Sequence, residues 1–159
     1  MTSLTEENYL KAIYNLIQST DKKASTNEIA KSMQTKASSV TDMLKRLNEK
    51  RLVDYEKYKT VKITEKGKQV AISIIRKHRL WEYFLVENLN FGWDEVHDIA
   101  EQLEHIESEA LTNKLDTFLG FPSFDPHGDP IPNKQGVFPT RENQKLSEVS
   151  EVSSVIVTG

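Results

Sequence analysis

The stretch STNEIAKSMQTKASSVTDMLKRLNEKRLVDYEKYKTVKI, residues 25–63, decides the fold class. It opens on Ser25-Thr26-Asn27-Glu28, the pattern of a capping box, in which a hydroxyl and a carboxylate three residues on satisfy each other's free backbone donors. That pattern predicts a short helix to about Met33. After a brief turn, Ser38 or Ser39 can cap a second helix that turns Val40, Leu44 and Leu47 inward. At Leu52 the period changes. Val53 and Tyr55 alternate, then Val61 and Ile63, and Glu56-Lys57-Tyr58-Lys59-Thr60 between them predicts a hairpin with a basic tip. Two short helices joined by a tight turn, the second opening on small hydroxyl residues, resemble a helix-turn-helix, and the hairpin after them makes it winged.

Upstream, residues 5–19 read as a helix, with Thr5 as cap, Glu6 and Glu7 suiting its positive start, and Leu10, Ile13 and Ile17 on one face. Downstream, Thr64 caps a long helix to about Glu87, and a second, acidic helix is predicted from about Trp93 to Asp116 after the short link Asn88 to Gly92. The aromatic junction of Trp81, Tyr83, Phe84, Phe91 and Trp93 reads either as a unit packed within one chain or as a dimer interface. All five prolines lie between Pro122 and Pro139, which predicts an extended loop. The tail from Gln144 is rich in Ser and Glu and ends, at Ser153-Ser154-Val155-Ile156-Val157-Thr158-Gly159, like the start of a strand.

The chain has 159 residues and 18.2 kDa, enough for one medium domain or two small ones. Its net charge of −3 hides an asymmetry. Lys and Arg outnumber Asp and Glu by 16 to 9 over residues 1–77 and are outnumbered 5 to 15 over residues 78–159. A basic front and an acidic back can mark nucleic-acid contact at one end. With no cysteine there is no disulfide framework, thiolate zinc finger, iron–sulfur cluster or catalytic thiol. No apolar run approaches the roughly 18 residues of a membrane span. Met1-Thr2-Ser3-Leu4-Thr5-Glu6-Glu7 lacks the regions of a secretion signal, so a cytoplasmic protein with no membrane partner is expected.

The chemistry sits in the acidic half, where all four histidines fall between residues 78 and 127. On the second helix His97, Glu101, Glu104 and His105 fall within an arc of about 100° at roughly 100° per residue, with Val96, Ile99, Leu103 and Ile106 expected on the opposite, core side. On the long helix His78 and Glu82 are one turn apart. Imidazole with carboxylate and no thiolate is a ligand set for Mn²⁺, Fe²⁺ or Zn²⁺. The same residues also fit a solvated acidic face. In the basic half, Ser38, Ser39 and Thr41 near the start of the second short helix can reach bases or phosphates. Lys36, Lys45 and Arg46 can reach phosphates, and Lys57, Lys59 and Thr60 on the hairpin tip can reach the neighbouring backbone or minor groove. Similar caps also occur in any small three-helix bundle.

These residues carry a family resemblance over about residues 4–139. It rests on Glu7-Asn8-Tyr9-Leu10-Lys11-Ala12-Ile13-Tyr14, Ser38-Ser39-Val40-Thr41, Leu52-Val53-Asp54-Tyr55-Glu56-Lys57-Tyr58, Ile63-Thr64-Glu65-Lys66-Gly67 and Arg76-Lys77-His78-Arg79-Leu80. Most specific are Val96-His97-Asp98-Ile99-Ala100-Glu101-Gln102-Leu103-Glu104-His105 and Asp125-Pro126-His127-Gly128-Asp129-Pro130-Ile131-Pro132. The sequence resembles the metal-dependent repressors of the diphtheria-toxin-repressor and manganese-transport-regulator family. The resemblance implies a mainly α fold: a winged helix-turn-helix over residues 1–72, a helical dimerisation and metal-binding domain over 73–139, and a tail over 140–159. That tail resembles the first strand of the SH3-like barrel found in longer members.

It further implies a homodimer that binds a palindromic double-stranded DNA operator when its metal is present, controlling metal-uptake genes, with no small-molecule substrate. Carried over by position, Asn8, Glu101, Glu104 and His105 match one metal site, and His78, Glu82 and His97 the other. Asp125 and His127 fall where some manganese-responsive members place further ligands. Asn8 stands where relatives have Met or Asp, and its amide is a weaker ligand. Lys11 stands where paired-metal members have Glu, so separate sites are expected rather than a close binuclear one. Glu101 and Asp125 stand where Cys occurs in other members, exchanging soft sulfur for hard oxygen. This favours Mn²⁺ over Fe²⁺, with Zn²⁺ or Co²⁺ substituting in vitro. An enzyme is not expected, since Glu101-Gln102-Leu103-Glu104-His105 lacks the ligand order of helical zinc proteases. A winged-helix regulator without a metal switch is the alternative.

Overall fold

The chain, seen in a computed structural model, is described over residues 2–19, 24–56 and 59–140. Its first helix, α1 (Leu4–Ser19), begins one residue before the expected cap. Ser3 replaces Thr5 in that role: its hydroxyl accepts from the Glu6 amide at 3.3 Å, and the Glu6 carboxylate accepts from the Ser3 amide at 2.8 Å. The capping box at Ser25 is present as read, with 3.2 and 2.7 Å bonds, and starts α2 (Thr26–Ser32). The expected cap of α3 (Ala37–Glu49) is corrected. Lys36 is the N-cap and makes no side-chain bond, so Ser38 and Ser39 lie inside the first turn, exposed. Water can satisfy amides there, which leaves those hydroxyls uncommitted.

A two-stranded antiparallel wing follows, β1 (Val53–Asp54) with β2 (Lys62–Ile63), in the register Val53 to Ile63 and Asp54 to Lys62. Val61 also bridges to Ala24, tying the wing to the segment before α2. The tip residue Lys57 and the tail beyond residue 140, with its strand-like end, lie outside the described residues. Leu10, Ile13, Ile29, Val40, Leu44, Leu47, Val53 and Val61 form the buried centre of this half.

The helix α4 (Glu65–Leu89) serves two cores. Ala71, Ile72 and Ile75 complete the first, whereas Leu80 packs with Leu115 and Ile131 in the second. Its start is fixed tightly. Thr64 accepts from the Gly67 amide at 3.1 Å and donates toward the Arg51 and Leu52 carbonyls at 2.9 and 3.0 Å. Gly67 lies so close to this crossing that a Cβ would stand 2.0 Å from the Leu52 carbonyl oxygen.

The single acidic helix expected from Trp93 to Asp116 is two: α5 (Val96–Leu103) and α6 (Glu109–Phe118). The break falls at residues 106–108, where Ser108 caps α6 by accepting from Leu111 at 3.2 Å; Glu104, still helical in its backbone, ends α5 with its carboxylate completely buried. The inner face of α5 is accordingly Val96 and Ala100, while Ile99 and Leu103 are half-buried and Ile106 is exposed. Of the aromatic junction, Trp81 and Phe84 pack edge to face at 5.9 Å and Phe84 meets Phe118 at 6.2 Å, whereas Phe91 and Trp93 are exposed. The proline-rich segment carries no helix and only a single bridge, Phe124 to Pro130. It returns to the first half, where Phe138 stacks on Tyr14 at 6.4 Å.

Gly67→Ala has no room to relax against backbone and is expected to destabilise the fold by about 1–3 kcal/mol, read as a lowered urea midpoint with unchanged slope.

Candidate metal centre and nucleic-acid face

Helical spacing on α4 sets His78 one turn before Glu82, both buried. The His78 Nε2–H donates to Glu82 Oε1 at 3.0 Å, and α5 brings the His97 Nδ1 to 3.3 Å from the same oxygen. Ligand atoms of His78, Glu82 and His97 all lie within 4.8 Å of one another. Glu101 stands 3.6 Å from the His97 Nε2, and the Nε2 of His127 reaches to 3.7 Å from Glu82.

A second group assembles where α5 ends. Glu104 accepts from His78 Nδ1 at 2.6 Å and from Lys11 Nζ at 2.7 and 2.9 Å. Lys11 also lies 3.5 Å from Glu101. The His105 Nδ1–H donates to Glu7 at 2.6 Å, and its Nε2 sits 3.7 Å from Glu104. Asn8 is next to Glu7 on α1, and its Oδ1 is buried with no hydrogen-bond partner among the described residues. The two groups are therefore adjacent, joined through the Glu104–His78 pair.

Asp125 lines the same cavity as His78, Glu82, His97 and His127, near enough for the Glu82 charge to act on it. One of its oxygens accepts from the His127 and Asp129 amides at 2.9 and 2.8 Å, and the other lies 3.7 Å from the Arg79 Nε. It shapes the loop that presents His127. Glu7 is the site residue the sequence reading missed. A carboxylate in a first helical turn is ordinary, and its partner is 98 residues away, so spacing holds no signal for it. By donating Nδ1–H to Glu7, His105 keeps Nε2 for a ligand, as metal-binding histidines commonly do.

Burial pulls the His78 imidazole down, but its bonds to Glu104 and Glu82 and the charge of Glu82 outweigh that and raise it from 6.5 to about 9. Burial also pushes Glu82 and Glu104 up. The His78 and His97 bonds at Glu82, and His78 with Lys11 at Glu104, more than offset it, so both carboxyls end below their ordinary value. Asp125 is raised, first by burial, with the neighbouring Asp129 and Glu82 carboxylates adding to it.

On the opposite half, Lys36, Ser38, Ser39, Lys45 and Arg46 are exposed along α3, as are Lys59 and Thr60 on the wing. Lys45 reaches Asp42 at 3.4 Å and Lys59 pairs with Glu56. Thr41 is half-buried, and its hydroxyl donates to the Ala37 carbonyl at 2.9 Å.

Nitrogen and oxygen donors from imidazole, carboxylate and an unpartnered amide, without sulfur, fit a borderline or hard divalent cation. Comparison with known proteins agrees. Residues 1–61 match the iron dependent repressor N-terminal DNA binding domain, and residues 64–133 match the iron dependent repressor metal binding and dimerisation domain. The chain belongs to the iron- and manganese-dependent repressor family. It is 32% identical to the iron-dependent repressor IdeR of Mycobacterium leprae over 94% of this chain and 66% of that protein. It is 35% identical to the HTH-type transcriptional regulator MntR of Oceanobacillus iheyensis, over 66% of this chain and 70% of the relative. Among solved structures, a manganese-dependent transcriptional repressor in complex with manganese superposes with a TM-score of 0.78 at 40% identity, covering 91% of this chain and 66% of that one. The chain spans 55 to 66% of the length of the curated iron-dependent repressors it matches.

Protonated His78 stabilises the metal-free fold fully below its unfolded value near 6.5, and that contribution is lost as pH rises through about 9. The urea midpoint of metal-free protein should fall over that window, and His78→Gln should flatten the fall.

Proposed function

We propose that this chain is a metal-gated transcriptional repressor, working in the cytoplasm as a homodimer on a palindromic operator of metal-uptake genes. In this reading residues 1–72 bind DNA, 73–139 hold metal and the dimer contact, and 140–159 form a tail. One observation carries it. Asn8, Lys11 and Glu7 come from α1, which packs on α2 and shares a core with the recognition helix, whereas Glu101, Glu104 and His105 come from α5 and the turn after it. A site built from both halves links them mechanically.

Asn8, Glu101, Glu104 and His105 would hold one ion, and His78, Glu82 and His97, with His127 at the rim, another. A bound divalent cation supplies charge that offsets the converging carboxylates. Oxygen and nitrogen donors favour Mn²⁺, then Fe²⁺. The residues do the rest. Glu7 ties α1 to His105, Asn8 would add a ligand from the same helix, and this sets the orientation of α3. In a dimer, that orientation decides whether two recognition helices meet successive major grooves. Ser38 and Ser39 would face the bases, and Lys36, Lys45, Arg46, Lys59 and Thr60 the phosphate backbone. The exposed Phe118 and Phe121 supply apolar surface for the partner subunit.

Operator binding followed by electrophoretic shift should tighten about 5–150-fold on adding Mn²⁺. Equal affinity with and without metal overturns the switch and favours an unswitched DNA binder. His105→Ala should lose the metal-dependent increment while circular dichroism stays native. Lys36→Ala should weaken binding evenly across sequences and reduce the salt slope by about 1.

A further inference from the structure

We propose that Lys11 is a tethered counter-cation: in the metal-free protein its ammonium holds the carboxylates of Glu104 and Glu101, and metal affinity is set by the need to expel it. This rests on the metal-gated reading above and concerns a residue outside its ligand set.

The geometry is specific. Lys11 Nζ lies 2.7 and 2.9 Å from the two oxygens of Glu104 and 3.5 Å from Glu101, so it engages two of the four groups assigned to one ion. The Lys11 side chain is only 16% exposed and that of Glu104 is 0% exposed. A carboxylate so fully removed from water needs compensating charge. With His78 on one side, Lys11 supplies that compensation on the other. A divalent cation and an ammonium cannot share these oxygens without repulsion. Neighbouring Asn8, whose buried Oδ1 has no hydrogen-bond partner among the described residues, marks the donor that remains uncovered while Lys11 is in place.

Lys11 also has somewhere to go. It lines an open cavity of about 1120 Å³ whose wall includes Asp94 and Asp129, neither of them assigned to an ion. Rotation of its flexible stem moves the charge into an acidic, wetter space without disturbing α1. Because Lys11 is on α1 and Glu104 follows α5, the two halves are already cross-linked before metal arrives. Filling the site exchanges one inter-domain link for another. Expelling the ammonium weakens net metal affinity, which raises the metal concentration at which the switch responds.

The test compares the wild-type chain with Lys11→Gln, Lys11→Met and Lys11→Arg by Mn²⁺ titration calorimetry and by thermal melting of metal-free protein. Lys11→Gln should bind Mn²⁺ about 10–100-fold more tightly and melt lower without metal. Lys11→Met, which keeps length and drops charge, gives the same readout should the glutamine variant fold poorly. Lys11→Arg should stay near the wild-type affinity. A folded Lys11→Gln with unchanged or weaker Mn²⁺ affinity makes Lys11 merely structural and overturns the proposal, as does a Lys11→Arg that tightens equally. In those cases wild-type Mn²⁺ binding leaves the metal-gated reading standing. Absence of Mn²⁺ binding by every form removes that reading and this inference together.

Discussion

A carboxylate with no access to water organises the second half of this protein. Glu104 sits at the end of α5 with its side chain at 0% exposure, between His78 from α4 and Lys11 from α1. Burying such a charge is tolerated only when it is paired and hydrogen-bonded on both oxygens. Meeting that demand requires three elements to converge at one point. α5 has to turn Glu104 inward, α4 has to present His78, and α1 has to lie across the gap. The contact between halves follows from keeping Glu104 satisfied.

The first half of the fold was legible because its signals are local. Ser25 with Glu28, and Thr64 ahead of Gly67, are caps that act within three residues, and the spacing of Val40, Leu44 and Leu47 reports directly on one buried face. Where the reading slipped, a competing local signal was present or a distant one was needed. Ser3 and Thr5 are both plausible caps, and the reciprocal bond of Glu6 selects Ser3. Ser108 offered a cap in the middle of the expected acidic helix, but continuous amphipathic spacing from His97 to His105 masked it. The exposed Ile106 shows that this spacing ends with α5.

For the site, the residue types were legible and the connections were not. His78 and Glu82 share a helical turn, so their proximity can be read directly. The pairing of His105 with Glu7, and of Lys11 with Glu104, joins residues 98 and 93 positions apart and depends on how α1 docks. Asp125 has the right chemistry for a ligand; two backbone amides hold one of its oxygens, and that loop geometry could not be read from spacing. Charge followed the same division. The basic front supplies the exposed lysines and arginine along α3, and the acidic back is partly consumed in internal pairs.

The continuity of α4 gives the molecule a lever. With 25 residues it is about 37 Å long, and one end belongs to each core. Nothing in its interior invites a bend: its only glycine is in the first turn, and it contains no proline. A tilt of about 5° at one end therefore moves the other by about 3 Å, close to the 3.4 Å rise between stacked base pairs. Small angular adjustments in the second half are thus large enough, at the far end, to change which step of a double helix the recognition helix would face.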